Sequence, residues 1–255
     1  KFFKETGVWG IMALKKSITI VAPAYNEEQI IEGSIEKLHD FFKKNFNKYK
    51  WKIIIAEHDS KDKTVEKAKE LIKKLKNVTL ISSLNVSKSD AIRNAWLKNK
   101  SDIMMYTDID LSAELYHLKE MIKYLDEGYD IVIGSRNLDK TGIKRDIKRE
   151  ILSGVYNLMI HFLFHVKLTD FQCGFKAMNL KVIDRLAPKM QFMEEGFMDT
   201  ELLIIAAKKG YKIKEIAVKW KEDIRSTRFN IAKVTIKFFG NLFKMKRAVM
   251  RGDYK

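Results

Sequence analysis

Two aspartates one residue apart, Asp108 and Asp110, directly follow the apolar run Ile103-Met104-Met105-Tyr106 and Thr107. Carboxylates so spaced at a strand end can hold a hard divalent cation, Mg2+ or Mn2+, which keeps waters and takes diphosphate oxygens as further ligands. Such an ion neutralises a departing nucleoside diphosphate. Alone, Asp-x-Asp equally suits a solvated turn. Val21-Ala22-Pro23-Ala24-Tyr25-Asn26-Glu27-Glu28 also leaves an apolar run for a helical pattern. Its backbone donors and Tyr25 can face a base or phosphate, or the segment simply opens a helix with early acidic residues. After the next apolar run comes Glu57-His58-Asp59-Ser60-Lys61-Asp62-Lys63-Thr64, in which Ser60 or Asp62 suits a helix cap.

Positioning these residues falls to alternating β-branched runs and amphipathic stretches, the pattern of strands and helices wound into a parallel sheet. The runs at 18–22, 53–56, 78–81, 103–106, 131–133 and 213–218 predict strands, and 27–46, 64–75, 89–97 and 114–125 predict helices. Basic residues and Gly142 in 137–148 predict a surface loop. A helix follows, with Ile151, Leu152, Val155, Leu158, Met159 and Phe162 as its apolar stripe, and another spans about 199–208. Sheets of this kind bind ligands beyond the carboxyl ends of their strands, where the three segments above lie.

The chain has 255 residues, 46% of them hydrophobic, enough for one large domain or a domain with an appendage. A net charge of +16 selects anionic partners: nucleic acid, phosphorylated substrates or acidic lipid. No recognised nucleic-acid motif is present, which argues against the first. A single cysteine, Cys173, rules out an internal disulfide and suggests a reducing, cytoplasmic setting. No run approaches the roughly 18 apolar residues of a spanning helix. Residues 1–16 are expected to be a leader or vector-derived segment, with Met12 a candidate start, followed by one domain over 17–228. In 229–255 aromatic and aliphatic residues alternate with lysines, predicting an amphipathic helix on the anionic, cytoplasmic face of a membrane, with packing against the core as the alternative. The histidines lack metal spacing, and His161 and His165, among Phe162, Leu163 and Phe164, read as packing residues.

In order, these segments resemble family 2 glycosyltransferases, and within them the dolichyl-phosphate glucose and dolichyl-phosphate mannose synthase group. Pro23-Ala24-Tyr25-Asn26-Glu27 stands for Pro-x-Tyr-Asn-Glu, and Ser60, Asp62 and Thr64 for the second half of Asp-Asp-Gly-Ser-x-Asp-x-Thr. Asp108 and Asp110 stand for Asp-x-Asp, followed by Gly134-Ser135-Arg136. Asp170-Phe171-Gln172-Cys173-Gly174-Phe175-Lys176 resembles a segment of the glucosyl members, and Met198-Asp199-Thr200-Glu201-Leu202-Leu203 the family's Phe-Asp-x-Glu-Leu-Leu. Glu57-His58-Asp59 replaces Asp-Asp-Gly, and Ser87-Lys88-Ser89 replaces Gly-Lys-Gly with loss of backbone freedom.

The resemblance covers about 18–228 and implies an α/β GT-A fold, a Rossmann-like sheet flanked by helices, with an amphipathic helical segment at the carboxyl end. It implies inverting transfer of glucose from UDP-glucose to a polyprenyl (dolichyl) phosphate, with GDP-mannose as the alternative donor and a non-catalytic anion-binding module as the alternative class. Donor binding falls to Pro23, Ala24, Tyr25, Glu27, Lys88 and Asp108, with Glu57 and Asp59 the candidates for reading the base. Asp108 and Asp110 carry the metal and, with Arg136, catalysis. Arg136, Arg149, Ser153, Arg225 and Arg228 are implied at the acceptor phosphate. An acceptor already ionised needs no strong base, so positioning and charge neutralisation dominate.

Overall fold

The apolar runs of the amino-terminal half are buried from both sides, as strands inside a helix-covered sheet must be. The computed structural model describes residues 15–84, 86–138, 147–193, 196–221 and 231–254, without the side chains of 147–150 and 231–236. Among the described residues seven strands form one sheet. They are β1 (Ser17–Ala24), β2 (Lys50–His58), β3 (Val78–Ser83), β4 (Ile103–Thr107), β5 (Ile131–Ser135), β6 (Phe175–Asn179) and β7 (Ile213–Ala217). Their order is β3-β2-β1-β4-β6-β5-β7.

Period-two alternation sorts even the continuous apolar runs between two cores. Ile18, Ile20, Ile53, Ile55, Ile103 and Met105 point to one face. Val21, Ile54, Ala56, Met104 and Tyr106 point to the other. The first face is covered by α1 (Ile31–Asn45), α2 (Thr64–Lys74) and α4 (His117–Asp126). The second carries α3 (Lys88–Lys98), α5 (Ile147–Phe164), α6 (Leu180–Leu186), α7 (Phe197–Lys208) and α8 (Ile231–Arg251), with a 3-10 turn at Ala187–Lys189. Ten consecutive residues of α7, Phe197 to Ala206, are buried, so this helix is enclosed all round.

The expected parallel sheet is in fact mixed, because β6 runs antiparallel between β4 and β5. A lysine at the second position of Phe175-Lys176-Ala177-Met178-Asn179 hides this strand from any apolar pattern. Lys176 is nonetheless fully buried, because Asp199 pairs with its ammonium at 2.8 Å.

The apolar face of the carboxyl-terminal helix lies in the core. Leu242, Met245 and Ala248 of α8 are buried in the same cluster as α5 and α7. Beyond the helix, the Tyr254 hydroxyl donates to Glu201 Oε1 at 2.6 Å. The buried Glu201 carboxylate also accepts from the Gln191 and Phe192 amides, at 2.8 and 2.9 Å. Leu242, Met245, Ala248 and Tyr254 therefore share the core of the preceding residues. His161 and His165 are exposed, contrary to the packing role expected. Among the described residues no helix is long and apolar enough to cross a membrane. Residues 1–14 of the proposed leader, with Met12, and most of the 137–148 loop lie outside the described residues.

Leu242→Ala should cost about 2–5 kcal/mol in urea unfolding, the usual price of an unfilled core site. Removing residues 241–255 should abolish cooperative melting; a truncated chain that melts as sharply as the full one would show α8 to be dispensable.

Candidate active site

Two of the singled-out segments turn out to be each other's hydrogen-bond partners. β1 and β2 pair in parallel with Ala24 opposite Glu57, so the loops that follow them run side by side. The Asn26, Glu27 and Glu28 amides donate to Ser60 Oγ, Thr64 Oγ1 and Asp62 Oδ2, at 3.1, 2.8 and 3.2 Å. In return the Lys61 and Lys63 amides donate to Asn26 Oδ1 and Glu28 Oε2, at 2.8 and 3.0 Å. Burial acts to raise the Asp62 carboxyl, but the bonds it accepts outweigh that and hold it below its ordinary value. With Glu27 and Glu28 engaged in this way, α1 starts at Ile31 and not at 27.

Asp59 stands where the family has glycine and adopts φ 61°, in the left-handed region that Asp tolerates better than most residues. Its carboxylate meets Lys61 at 2.8 Å. Glu57 is buried, and both its oxygens are occupied: Oε1 accepts from the Ser60 amide at 2.6 Å and Oε2 from the Ser82 hydroxyl. Tyr25 and His58 stack with ring centroids 5.2 Å apart and planes 13° apart, and Tyr25 is exposed. Burial and the nearby Lys88 charge push the imidazole below its ordinary value, so it is neutral at pH 7.

At the end of β4, Lys88 Nζ meets Asp108 Oδ1 at 2.5 Å. Lys88 is the first residue of α3, whose cap is Ser87: its Oγ accepts from the Asp90 amide at 3.1 Å. Ser87 has φ −76°, ordinary for any residue, so the backbone here has no need of the family's glycine. Burial and then the Asp108 charge hold the Asp110 carboxyl above its ordinary value, against bonds from Ser112. The Ser112 amide reaches Asp110 Oδ1 at 2.9 Å because Leu111 takes φ 51°. Below Asp108 lies Gly174, where a Cβ would run into the Asp108 carboxylate.

Arg136, after β5, is held by Asp170 through Nε at 2.7 Å and Nη2 at 2.9 Å. Its guanidinium also lies 5.1 Å from the Trp220 ring centroid. Asp170 is only 2% exposed; burial alone would raise its carboxyl, but Arg136 holds it below the ordinary value. Next to it, Thr169 is bound by Glu215 of β7, by Ser135 at 2.6 Å and, through its carbonyl, by Asn157 of α5 at 2.7 Å. Ser153, one turn before Asn157, is half-buried on α5. The side chain of Arg149 and the whole of Arg225 and Arg228 lie outside the described residues. The Trp220 strand segment bridges Ala113, so the chain enters 222–230 from beside the Asp-x-Asp turn.

The family model described as "Glycosyl transferase family 2" matches residues 19–187, well over half of the chain. The chain belongs to this family. The glycosyltransferase AglD of Haloferax volcanii is 28% identical over 205 residues, covering 80% of this chain and 33% of that protein. The dolichyl-phosphate beta-glucosyltransferase ALG5D of Trichomonas vaginalis is 31% identical over 224 residues, covering 80% of this chain and 66% of that protein. The family 2 chain thus spans about a third of one relative's length and just under two thirds of the other's. Its fold is also that of glucosyl-3-phosphoglycerate synthase from Mycobacterium tuberculosis, a GT-A protein solved with Mn2+, UDP and phosphoglyceric acid. The TM-score is 0.67 at 14% identity, over 91% of this chain and 78% of that one.

Of the residues singled out in the sequence, the structure brings Lys88, Asp108 and Asp110 together, sets Pro23, Ala24, Tyr25, Glu27, Glu57 and Asp59 along the β1–β2 edge, and places Arg136 across β6. Sequence reasoning missed the support beneath. Lys176 pairs with Asp199, donates to the Cys173 carbonyl, and so fixes the turn that carries Gly174. The Tyr106 hydroxyl donates to the same Asp199 at 2.6 Å. Cys173 itself is buried, its thiol pushed up to about 12 chiefly by burial, which makes it a packing residue and no nucleophile.

Two predictions follow from this packing. Gly174→Ala should destabilise by about 1–3 kcal/mol through overpacking, whereas Gly154→Ala, on α5 with nothing within 4 Å, should stabilise by about 0.5–1 kcal/mol. Urea titrations of both variants check the contrast. Arg136→Ala should cost about 3–5 kcal/mol at pH 7 by stranding a buried carboxylate. In the wild type the depressed Asp170 carboxyl contributes stability above the unfolded carboxylate range and loses it on acidification. In the variant, burial without the cation raises the same carboxyl, which takes a proton as pH falls. The stability gap between the two should therefore narrow between pH 7 and about pH 4; a constant gap would deny the coupling.

Proposed function

We propose that this chain transfers glucose from UDP-glucose to a polyprenyl (dolichyl) phosphate, with inversion at the anomeric carbon, on the cytoplasmic face of a membrane. The observation that carries the reading is the grouping of Lys88, Asp108 and Asp110 at the carboxyl edge of the sheet, beside the Tyr25–His58 stack. A diphosphate needs cationic neutralisation and a base needs a flat surface, and both lie at one edge of the sheet, where the Lys88 charge acts on His58. The relative named as a dolichyl-phosphate beta-glucosyltransferase supports the choice of sugar and acceptor.

Among the described residues no group of three or more His, Cys, Asp or Glu could hold a metal ion. Asp108 and Asp110 by themselves suit Mg2+ or Mn2+, hard ions that leave positions for water and diphosphate oxygens, and the Asp110 carboxyl, raised by burial and then by the Asp108 charge, is one that a bound cation would hold ionised. Such an ion, when bound, supplies charge neutralisation to the leaving UDP. Lys88 adds a second cation on the same side.

On the donor side, Pro23, Ala24, Tyr25 and Glu27 line the β1 end. Because Glu57 has both oxygens engaged, Asp59 is the carboxylate available to the base. On the acceptor side, Nε and Nη2 of Arg136 are taken by Asp170, which fixes the guanidinium plane and leaves Nη1 to the lipid phosphate. Arg149, Ser153, Arg225 and Arg228 would complete that subsite. A phosphate oxygen of the acceptor attacks the anomeric carbon from the face opposite UDP. The new C–O bond forms as the bond to the β-phosphate oxygen breaks, and the electron pair leaves with UDP. Both oxygens are anionic, so no proton has to move, and one displacement inverts the centre.

Incubation with UDP-glucose, GDP-mannose and a short polyprenyl phosphate should yield a β-glucosyl phospholipid, identified by mass and anomeric coupling. Asp110→Asn should lower turnover at least about a hundredfold while the melting temperature holds, as loss of a charge-stabilising group does. A mannosyl product would overturn the donor assignment; a retained anomer, or full turnover in Asp110→Asn, would overturn the mechanism.

A further inference from the structure

The apolar residues of α5 fall on two opposite faces. Tyr156, Ile160 and Phe164 are buried, while Ile151, Val155, Leu158 and Phe162 are 60, 45, 66 and 78% exposed. The second set follows i, i+4, i+7, i+11, one continuous stripe on the outer side of the helix. A stripe of four large side chains is unlike the single exposed apolar residues that any surface carries.

α8 lies alongside. The Tyr156 ring is 5.7 Å from Phe238, and Lys246 Nζ donates to the Leu163 carbonyl at 2.6 Å. Phe243 and Met250, three residues before Lys246 and four after it, share its side of α8. They are 52 and 69% exposed, so apolar surface continues from α5 onto the flank of α8. Farther round α8 come the exposed Lys244 and Arg247, and residues 231–251 contain no acidic residue.

We propose that the α5–α8 face docks on an anionic lipid bilayer, with the α5 stripe entering the acyl boundary and the α8 cations meeting the headgroups. This assigns insertion to α5, because the other apolar face of α8 is committed to Leu242, Met245 and Ala248 in the core. Charge decides between occupants. A second copy of a chain of net charge +16 would set like cations against each other around the stripe, whereas anionic headgroups complement them. The inference deepens the membrane part of the proposed function, and docking does not depend on the transfer reaction.

The test uses sedimentation with phosphatidylcholine vesicles, with and without phosphatidylserine and free of polyprenyl phosphate. The full chain should sediment with the anionic vesicles and be released at about 0.5 M salt. Leu158→Ser/Phe162→Ser should weaken binding at least about tenfold at unchanged melting temperature, and Lys244→Glu/Arg247→Glu should weaken it while flattening its salt dependence. Phe162→Trp should add emission that brominated lipid quenches, a readout independent of any loss of binding. Wild-type-like sedimentation of the serine variant, or a wild type that ignores anionic vesicles, would overturn the proposal. So would a dimer in sedimentation velocity that the serine variant dissolves. Transfer to a short, water-soluble prenyl phosphate without vesicles should be the same in the serine variant as in the wild type, so failure of docking and failure of the reaction are read separately.

Discussion

The Asp108 carboxylate sits where it does only because residue 174 has no side chain. Its amide donates to the Gly174 carbonyl at 3.2 Å, and its oxygens rest against the Gly174 Cα from which any Cβ would project into them. Gly174 in turn is placed by β6, the strand that runs against its neighbours, and β6 is anchored by the buried Lys176–Asp199 pair. A lysine in a dry interior is tolerable only when its charge is met and its protons are used. Here Asp199 and the Cys173 carbonyl do both, and Tyr106 of β4 supplies a further donor to Asp199. The chemistry of one carboxylate at the surface thus depends on a charge pair buried below it.

The same economy explains the motifs at the ends of β1 and β2. Residues whose types suggest ligand binding spend much of their capacity on one another: Asn26 and Glu28 on the second loop, Ser60, Asp62 and Thr64 on the first. Their spacing is dictated by the parallel register of the two strands. What the interlocked loops leave to the cleft is a short list, the Tyr25–His58 edge and the Asp59 carboxylate.

The alternating strands of the amino-terminal half and the position of Asp108 and Asp110 just beyond a strand were legible from sequence, because apolar periodicity and a motif at a strand end each have a direct physical meaning. Three things were not. β6 was invisible because its second residue is a lysine whose partner, Asp199, comes from α7. The pairing of Arg136 with Asp170 was hidden because the two lie 34 residues apart in sequence. For the terminal helix the sequence left a membrane surface and the core as alternative partners, because pattern alone cannot tell which of two apolar faces has a core to meet. In each case the deciding fact is a long-range pairing that no local window contains.

Glu201 has a consequence for the order of events during synthesis. Its carboxylate is enclosed, and one of its three donors is the hydroxyl of a residue 53 positions later in the chain. The β1–β4 half is built from neighbouring strand–helix units and can close as it emerges from the ribosome. The opposite layer cannot follow suit, since Glu201 keeps an unmet bonding capacity, and α7 an uncovered flank, until α8 and Tyr254 are out. The carboxyl edge of the sheet thus forms early on a half-covered sheet, and α8, with Tyr254 behind it, acts as the latch.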